Sequence, residues 1–152
     1  MPSYCFDTSA FMQSWRDVYP RDVFPSIWKR MEAWCGDETI VAPMEVRREL
    51  VKQEDDLAEW VKARPNGLFY PTDEELWHIT AEVMALPEFQ RIIETGRHGA
   101  DPWVVGLARL TNTAVVTEEG RRRRPNIPAM CEDFGVRSIT TLGFLREMGV
   151  RL

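Results

Sequence analysis

The sequence predicts an α/β fold with a mainly parallel sheet, on three observations. Short apolar runs, each the length of a buried strand, are separated by segments with helical periodicity. The runs are continuous rather than alternating, as in strands covered on both faces. Acidic residues follow several of the runs, and in open parallel sheets ligands bind beyond the carboxyl ends of the strands.

Taken in order, Tyr4-Cys5-Phe6 is the first strand and ends at Asp7-Thr8-Ser9. A helix is expected from Ala10, with Ser9 as its N-cap. Asp22 to Trp34 is a second helix, with Ile27, Met31 and Trp34 at spacings of four and three. Gly36-Asp37 ends it, and Thr39-Ile40-Val41-Ala42 is a buried strand. Pro43 then opens a helix through Glu45, Val46, Glu49 and Leu50. Helical spacing continues from Glu54 to Ala63, with Leu57, Trp60 and Val61 on one face, until Pro65-Asn66-Gly67 breaks it. Thr72-Asp73-Glu74-Glu75 has the form of a capping box before Leu76, Ile79, Val83 and Leu86. Pro87 to Thr95 is expected to add a short helix. Asp101-Pro102 begins an apolar helix to about Leu110, with Asp101 as N-cap, and Ala114-Val115-Val116-Thr117 is the next strand. A loop at Arg121 to Asn126, a helix at Ile127 to Phe134, a strand at Val136 to Ser138 and a helix at Leu142 to Met148 complete the chain.

The length of 152 residues suits one domain, and the 44% apolar and 28% charged content is that of a globular protein. No apolar run approaches the roughly 20 residues of a membrane span. Met1 to Phe6 lacks the basic and apolar regions of a signal peptide, so a cytoplasmic protein is expected. Cys5, Cys35 and Cys131 are widely spaced and odd in number, which argues against a zinc knuckle or a disulfide framework and for buried apolar side chains. His78 and His98 stand near no Ser or Cys nucleophile motif, so a histidine-dependent triad is not supported. A phosphate-binding glycine loop is also missing, and Asp7 is not followed two residues later by the second Asp of an aspartyl phosphatase. The net charge of −5 argues against non-specific coating of nucleic acid. It leaves room for a nuclease, whose metal-binding acids lower the net charge while bound cations reverse it locally.

The acids that border the strands are Asp7, Glu45, Glu49, Asp101, Glu118 and Glu119. Glu45 and Glu49 lie four apart on one helix face. A parallel sheet could gather such groups at one edge, and a carboxylate cluster suits Mg²⁺ or Mn²⁺. These ions activate water and stabilise charge on a phosphate during in-line displacement. Each acid also has a structural reading by itself. Asp7 could cap a turn, Asp101 could cap its helix, Glu45 could favour a helix dipole, and Glu118 and Glu119 could be exposed loop acids. Their joint placement carries the functional reading.

Four pieces occur in an order that resembles the PIN-domain nucleases over nearly the full chain. They are Tyr4-Cys5-Phe6-Asp7-Thr8-Ser9-Ala10; Ile40-Val41-Ala42-Pro43 with Arg48-Glu49-Leu50; Ala100 to Ala108 around Asp101; and Ala114-Val115-Val116-Thr117-Glu118-Glu119. The pattern also resembles stand-alone PIN-like members of a subfamily described as a domain of unknown function. The resemblance implies a three-layer α/β/α sandwich, with Asp7, Glu49, Asp101 and Glu119 holding Mg²⁺ or Mn²⁺ as the catalytic acids, and Ser9 and Thr117 orienting a carboxylate or a coordinated water. It also implies RNA as substrate and, for small bacterial members, a toxin neutralised by an antitoxin protein, commonly as a homodimer. Glu119 stands where Asp is usual, and Glu45 is the substitute for Glu49 if the helix register differs. Arg121 and Arg122, in the run Arg121 to Arg124, are candidates for RNA phosphates, with Arg16 and Arg21 weaker ones. The alternatives are a DNA-directed nuclease and a PIN-like regulatory protein without catalysis. The Trp-rich stretch 54–95 matches no piece of the resemblance.

Overall fold

Tyr4–Phe6, three consecutive buried residues, form β1 at the centre of a parallel sheet. The computed structural model describes residues 3–87, 89, 99–120 and 126–152. The other strands are β2 (Ile40–Pro43), β3 (Phe69–Tyr70), β4 (Ala114–Val116) and β5 (Ser138–Ile139). They lie in the order β3-β2-β1-β4-β5, and every neighbouring pair is parallel. The chain builds outward from β1 to β3 on one side, then returns to add β4 and β5 on the other. The line between β1 and β4 is therefore the topological switch point, where a crevice opens beyond the strand ends.

The helices are α1 (Thr8–Gln13), α2 (Pro25–Gly36), α3 (Met44–Lys52), α4 (Asp56–Lys62), α5 (Glu74–Met84), α6 (Asp101–Thr111), α7 (Ile127–Asp133) and α8 (Thr141–Glu147), with a π-helical turn at Ser14–Val18. Side-chain alternation along β1 assigns them to two layers. Tyr4 and Phe6 face α1 and α8, where Phe6 packs 5.1 Å from Phe11 and 5.0 Å from Phe144, centroid to centroid. Trp34 of α2 meets Phe144 as well, at 5.1 Å. Cys5 faces the opposite layer, and its thiol lies 3.5 Å from the Val104 carbonyl of α6. The result is a three-layer α/β/α sandwich with one continuous apolar core. All three cysteines are buried and unbridged, as the sequence suggested. Among the described residues no helix is long and apolar enough to cross a membrane.

Several element boundaries differ from expectation for local reasons. Asp7, not Ser9, is the N-cap of α1, because the chain turns into the helix directly from β1. Pro43 ends β2 and caps α3 instead of opening it. Glu54 takes a positive φ of 54°, which interrupts the helical run, and Asp55 caps a separate α4. Asp73 caps α5 through the Leu76 amide at 2.8 Å, while the Thr72 hydroxyl donates to Glu45, so the expected capping box is not formed. Asp101 is the first residue of α6, not its N-cap, which is Ala100. Phe69–Tyr70 is a strand that two residues are too few to announce, and the last strand lies at Ser138–Ile139, later than Val136 to Ser138. Most of the helix expected at Pro87 to Thr95 lies outside the described residues, as do His98 and Arg121 to Arg124.

The position of α6 depends on close approach to α5. Gly106 is buried there, and a methyl group at its Cα would overlap the Thr80 hydroxyl and lie 3.2 Å from the Thr80 Cα. Backbone cannot give way as a flexible side chain can. Gly106→Ala should therefore destabilise the protein by about 1–3 kcal/mol, even though alanine is favoured over glycine within a helix by about 1 kcal/mol. Urea denaturation would show it as a lower midpoint with an unchanged slope.

Candidate metal centre

β1 and β4 pair with Phe6 opposite Val116, so the residues that follow, Asp7 and Thr117, leave the sheet side by side. The Asp7 amide donates to the Val116 carbonyl at 3.0 Å and continues the ladder by one bond. The Asp7 carboxylate is 2% exposed and accepts three hydrogen bonds. Its Oδ1 takes the Thr8 amide at 2.7 Å; its Oδ2 takes the Ser9 hydroxyl at 2.6 Å and the Thr117 hydroxyl at 3.0 Å. Ser9 and Thr117 lie 3.2 Å apart and accept, in turn, the amides of Glu118 (3.0 Å) and Glu119 (3.1 Å). Two hydroxyls thus orient Asp7 and shape the turn that delivers Glu119.

Asp101 arrives from the other layer, in the first turn of α6, where the helix dipole favours a carboxylate. Asp7, Asp101 and Glu119 each offer a carboxylate oxygen, and these three atoms all lie within 4.8 Å of one another. Glu119 is held in place by its Oε2, which accepts the Ile127 amide at 2.7 Å. Such spacing among hard oxygen donors could hold a divalent cation. Glu49 lines the same depression, of about 340 Å³, together with the three acids, Thr8 and Arg16. Its Oε1 accepts the Ala100 amide at 2.9 Å, which ties α3 to the start of α6.

Burial pushes the Asp7 carboxyl up to about 6, and the nearby charge of Glu119 adds to the rise. The bonds from Ser9, Thr117 and the Thr8 amide oppose it without cancelling it. The folded chain thus concentrates negative charge that it holds at a cost.

Of the other acids proposed from sequence, Glu118 turns away, and its Oε1 accepts the Thr141 amide at the start of α8 at 2.8 Å. Glu45 binds the Thr72 hydroxyl and lies 3.7 Å from Arg48, outside the depression, so it does not replace Glu49. Arg121 and Arg122 fall outside the described residues. Thr8, which no sequence pattern beyond its place between Asp7 and Ser9 singles out, also belongs to the site: its hydroxyl is buried, has no hydrogen-bond partner among the described residues, and belongs to a residue lining the depression.

The family model described as a domain of unknown function, DUF4411, matches residues 4–152. The chain belongs to the DUF4411 family. No curated protein matches this sequence. Among solved structures, this DUF4411 chain is similar to a chain in the crystal structure of DNA-bound VapBC from Salmonella typhimurium, with a TM-score of 0.55 and 16% identity over 92% of this chain and 98% of that one. It is also similar to a chain of VapBC2 from Rickettsia felis bound to a DNA fragment from their promoter, with a TM-score of 0.51 and 12% identity over 90% and 97%. At such low identity these likenesses establish the fold, and it is the PIN-like sandwich that the sequence resemblance implied.

The buried charge of Asp7 has a consequence for stability. Its folded pKa of about 6 lies above the ordinary 3.8, so ionisation disfavours the folded state. This site is most stabilising below the ordinary value, and the benefit is lost as pH rises through 6. In EDTA at pH 7.5, Asp7→Asn should be more stable than the parent by about 1–3 kcal/mol and melt at a higher temperature. The gap should close as pH falls towards 4. A variant that melts lower at pH 7.5 and stays lower at pH 4 would show that the charge costs nothing.

Proposed function

We propose that this chain is a divalent-cation-dependent ribonuclease, with Asp7, Asp101 and Glu119 as the central ligands and Glu49 as a fourth acid at the rim. The observation that carries the reading is the convergence of three carboxylates, distant in sequence, within 4.8 Å at the switch point of a parallel sheet. The donor set fits Mg²⁺ or Mn²⁺, which take carboxylate oxygens and retain waters. The buried Thr8 hydroxyl beside the acids, without a partner among the described residues, supports a hydrated ion there. A cation bound by these residues would lower the pKa of a coordinated water and offset charge on a phosphodiester. The protein's own contribution is positional. Ser9 and Thr117 hold Asp7 in one rotamer, and the Ile127 amide anchors Glu119 across its loop.

The toxin role follows from the PIN-domain resemblance, and the shared fold with chains from two VapBC assemblies supports an antitoxin as partner. RNA is the substrate class that the resemblance favours, in a single cytoplasmic domain that can pair with a second copy. Competition between labelled RNA and DNA of the same sequence would separate the ribonuclease from a DNA-directed enzyme.

Purified protein should cut a mixed structured RNA pool with Mn²⁺ or Mg²⁺ and leave it intact with EDTA. Asp7→Asn should lower the rate by at least about a hundredfold, since groups that merely orient metal ligands are worth about ten- to a hundredfold. Thr117→Val, which keeps the shape and removes the hydroxyl, should fall in that lower range. An Asp7→Asn protein that cuts as fast as the parent would refute the carboxylate centre. Metal binding without cleavage of any nucleic acid would favour a regulatory PIN-like protein.

A further inference from the structure

The π-helical turn Ser14–Val18 follows α1 without a break and carries Trp15, Arg16 and Asp17. Its closing bond runs from the Tyr19 amide to the Ser14 carbonyl at 2.8 Å, five residues back, and the Tyr19 carbonyl accepts the Trp28 indole at 2.7 Å. A π turn re-aims the side chains that an α-helix would place elsewhere, and such turns recur at functional sites. The Trp15 ring stands edge-on to Trp28, with centroids 4.8 Å apart, and lies 6.1 Å from Trp60. The indole is thereby held in a fixed pose. Arg16 is tethered too. Its Nη2 donates to Asp55 Oδ2 at 2.8 Å, while Asp55 Oδ1 caps α4 through the Ala58 amide at 2.9 Å.

Two depressions meet at Arg16. One is the acidic depression described above. The other, of about 610 Å³, is lined by Trp15, Arg16, Arg21, Asp22 and Asp56, among others. The Arg21 guanidinium lies 5.7 Å from the centroid of the Trp15 ring. A fixed aromatic ring with Arg21 over it and Arg16 next to it in the chain provides what a single strand of nucleic acid needs, a surface for a base and forked donors for a phosphate. Of the five N–H groups of Arg16, the bond to Asp55 uses one. Asp22 and Asp56 would repel a phosphate, but their carboxylates accept hydrogen bonds from the exocyclic amino group of a base.

We propose that Arg16 grips a backbone phosphate beside the acidic depression and that the Trp15 pocket takes the adjoining base of a single-stranded RNA, with preference for bases bearing an exocyclic amino group. The placement of the scissile phosphate rests on the nuclease reading; the binding of the strand does not.

The probes are fluorescein-labelled ten-residue oligocytidylate and oligouridylate. Their binding is followed by anisotropy in EDTA over a range of KCl, and cleavage is followed separately in Mn²⁺. Oligocytidylate should bind the parent protein more tightly than oligouridylate. Arg16→Gln should raise Kd about tenfold and flatten the plot of log Kd against log salt by about 0.7, the value of one lost phosphate contact on a single strand. Asp55→Asn keeps the helix cap and releases Arg16, so it should move Kd the same way while lowering the melting temperature by no more than the few degrees expected from loss of one partly exposed ion pair. Trp15→Leu should weaken oligocytidylate by about tenfold, within the range for loss of one stacked base. In cleavage, Arg16→Gln should raise KM more than it lowers kcat. Binding that responds in this way, with neither the probes nor the mixed structured RNA pool cleaved in Mn²⁺, upholds the subsite and refutes the nuclease reading. Cleavage that needs Asp7 but shows parental KM, Kd and salt slope in Arg16→Gln and Trp15→Leu overturns the subsite and leaves the nuclease reading intact. Equal binding of the two probes, or a folded protein that binds neither, overturns it as well; the latter result would point to a protein in this groove.

Discussion

The carboxylate of Asp7 accepts three hydrogen bonds at the end of the central strand, and the arrangement of the site depends on them. Two come from its own turn, Thr8 and Ser9, and one from Thr117 on the neighbouring strand. A carboxylate this deeply buried is tolerated only when its lone pairs are satisfied. The Thr117 bond joins the exits of β1 and β4, and the Ser9 and Thr117 hydroxyls, by accepting the amides of Glu118 and Glu119, set the direction of the chain towards Glu119. The three bonds do not bring the carboxyl back to its ordinary range, because burial and the charge of Glu119 outweigh them. The fold therefore maintains an acidic concentration that a cation would relieve.

That arrangement needs the sheet to be parallel and its order to reverse beside β1. Parallel strands send all their carboxyl ends to one edge, and the reversal keeps crossover helices from covering the gap between β1 and β4. Asp101 enters this gap from the opposite layer, on a helix whose depth is set by the close contact of Gly106 with Thr80. The aromatic layer on the other face does comparable work. Phe6, Phe11 and Phe144 pack across β1, and Trp28 and Trp60 support the turn that carries Trp15 and Arg16. The Trp-rich stretch is thus partly core. Trp60 contacts Phe11, Trp15 and Trp28, while Trp77 remains more than half exposed on α5.

Much of this was legible in the chain. Continuous apolar runs marked β1, β2 and β4, and helical spacing marked α2, α5 and α6, because both patterns are local and span enough residues to be distinct. The two-residue β3 carried too little pattern, and several caps were displaced by a residue or two. Asp and Ser are comparable N-caps, so Asp7 and Ser9 could not be ranked without the direction in which the strand hands over to the helix. The same limit applied to Thr72 and Asp73, whereas at Ala100 the tertiary structure overrides cap preference, since alanine is a poor N-cap and Asp101 beside it a good one. Glu45 and Glu49 share a helix face, yet only Glu49 lines the depression, because Glu45 lies a turn nearer the end of β2 and meets Thr72 instead.

The sequence by itself determined that this is an α/β chain with acids at the exits of its strands, since strand length, helix period and the residue after each run are all properties of neighbours. The tertiary structure decided which acids meet. The pairing of Phe6 with Val116 sets Asp7 beside Thr117, and the depth of α6 brings Asp101 to them. It also decided that Glu118 should accept the first amide of α8 while its neighbour Glu119 joins the cluster. The register arises from contacts between residues about a hundred positions apart and the helix depth from the contact of Gly106 with Thr80 on another helix, and no local pattern encodes either.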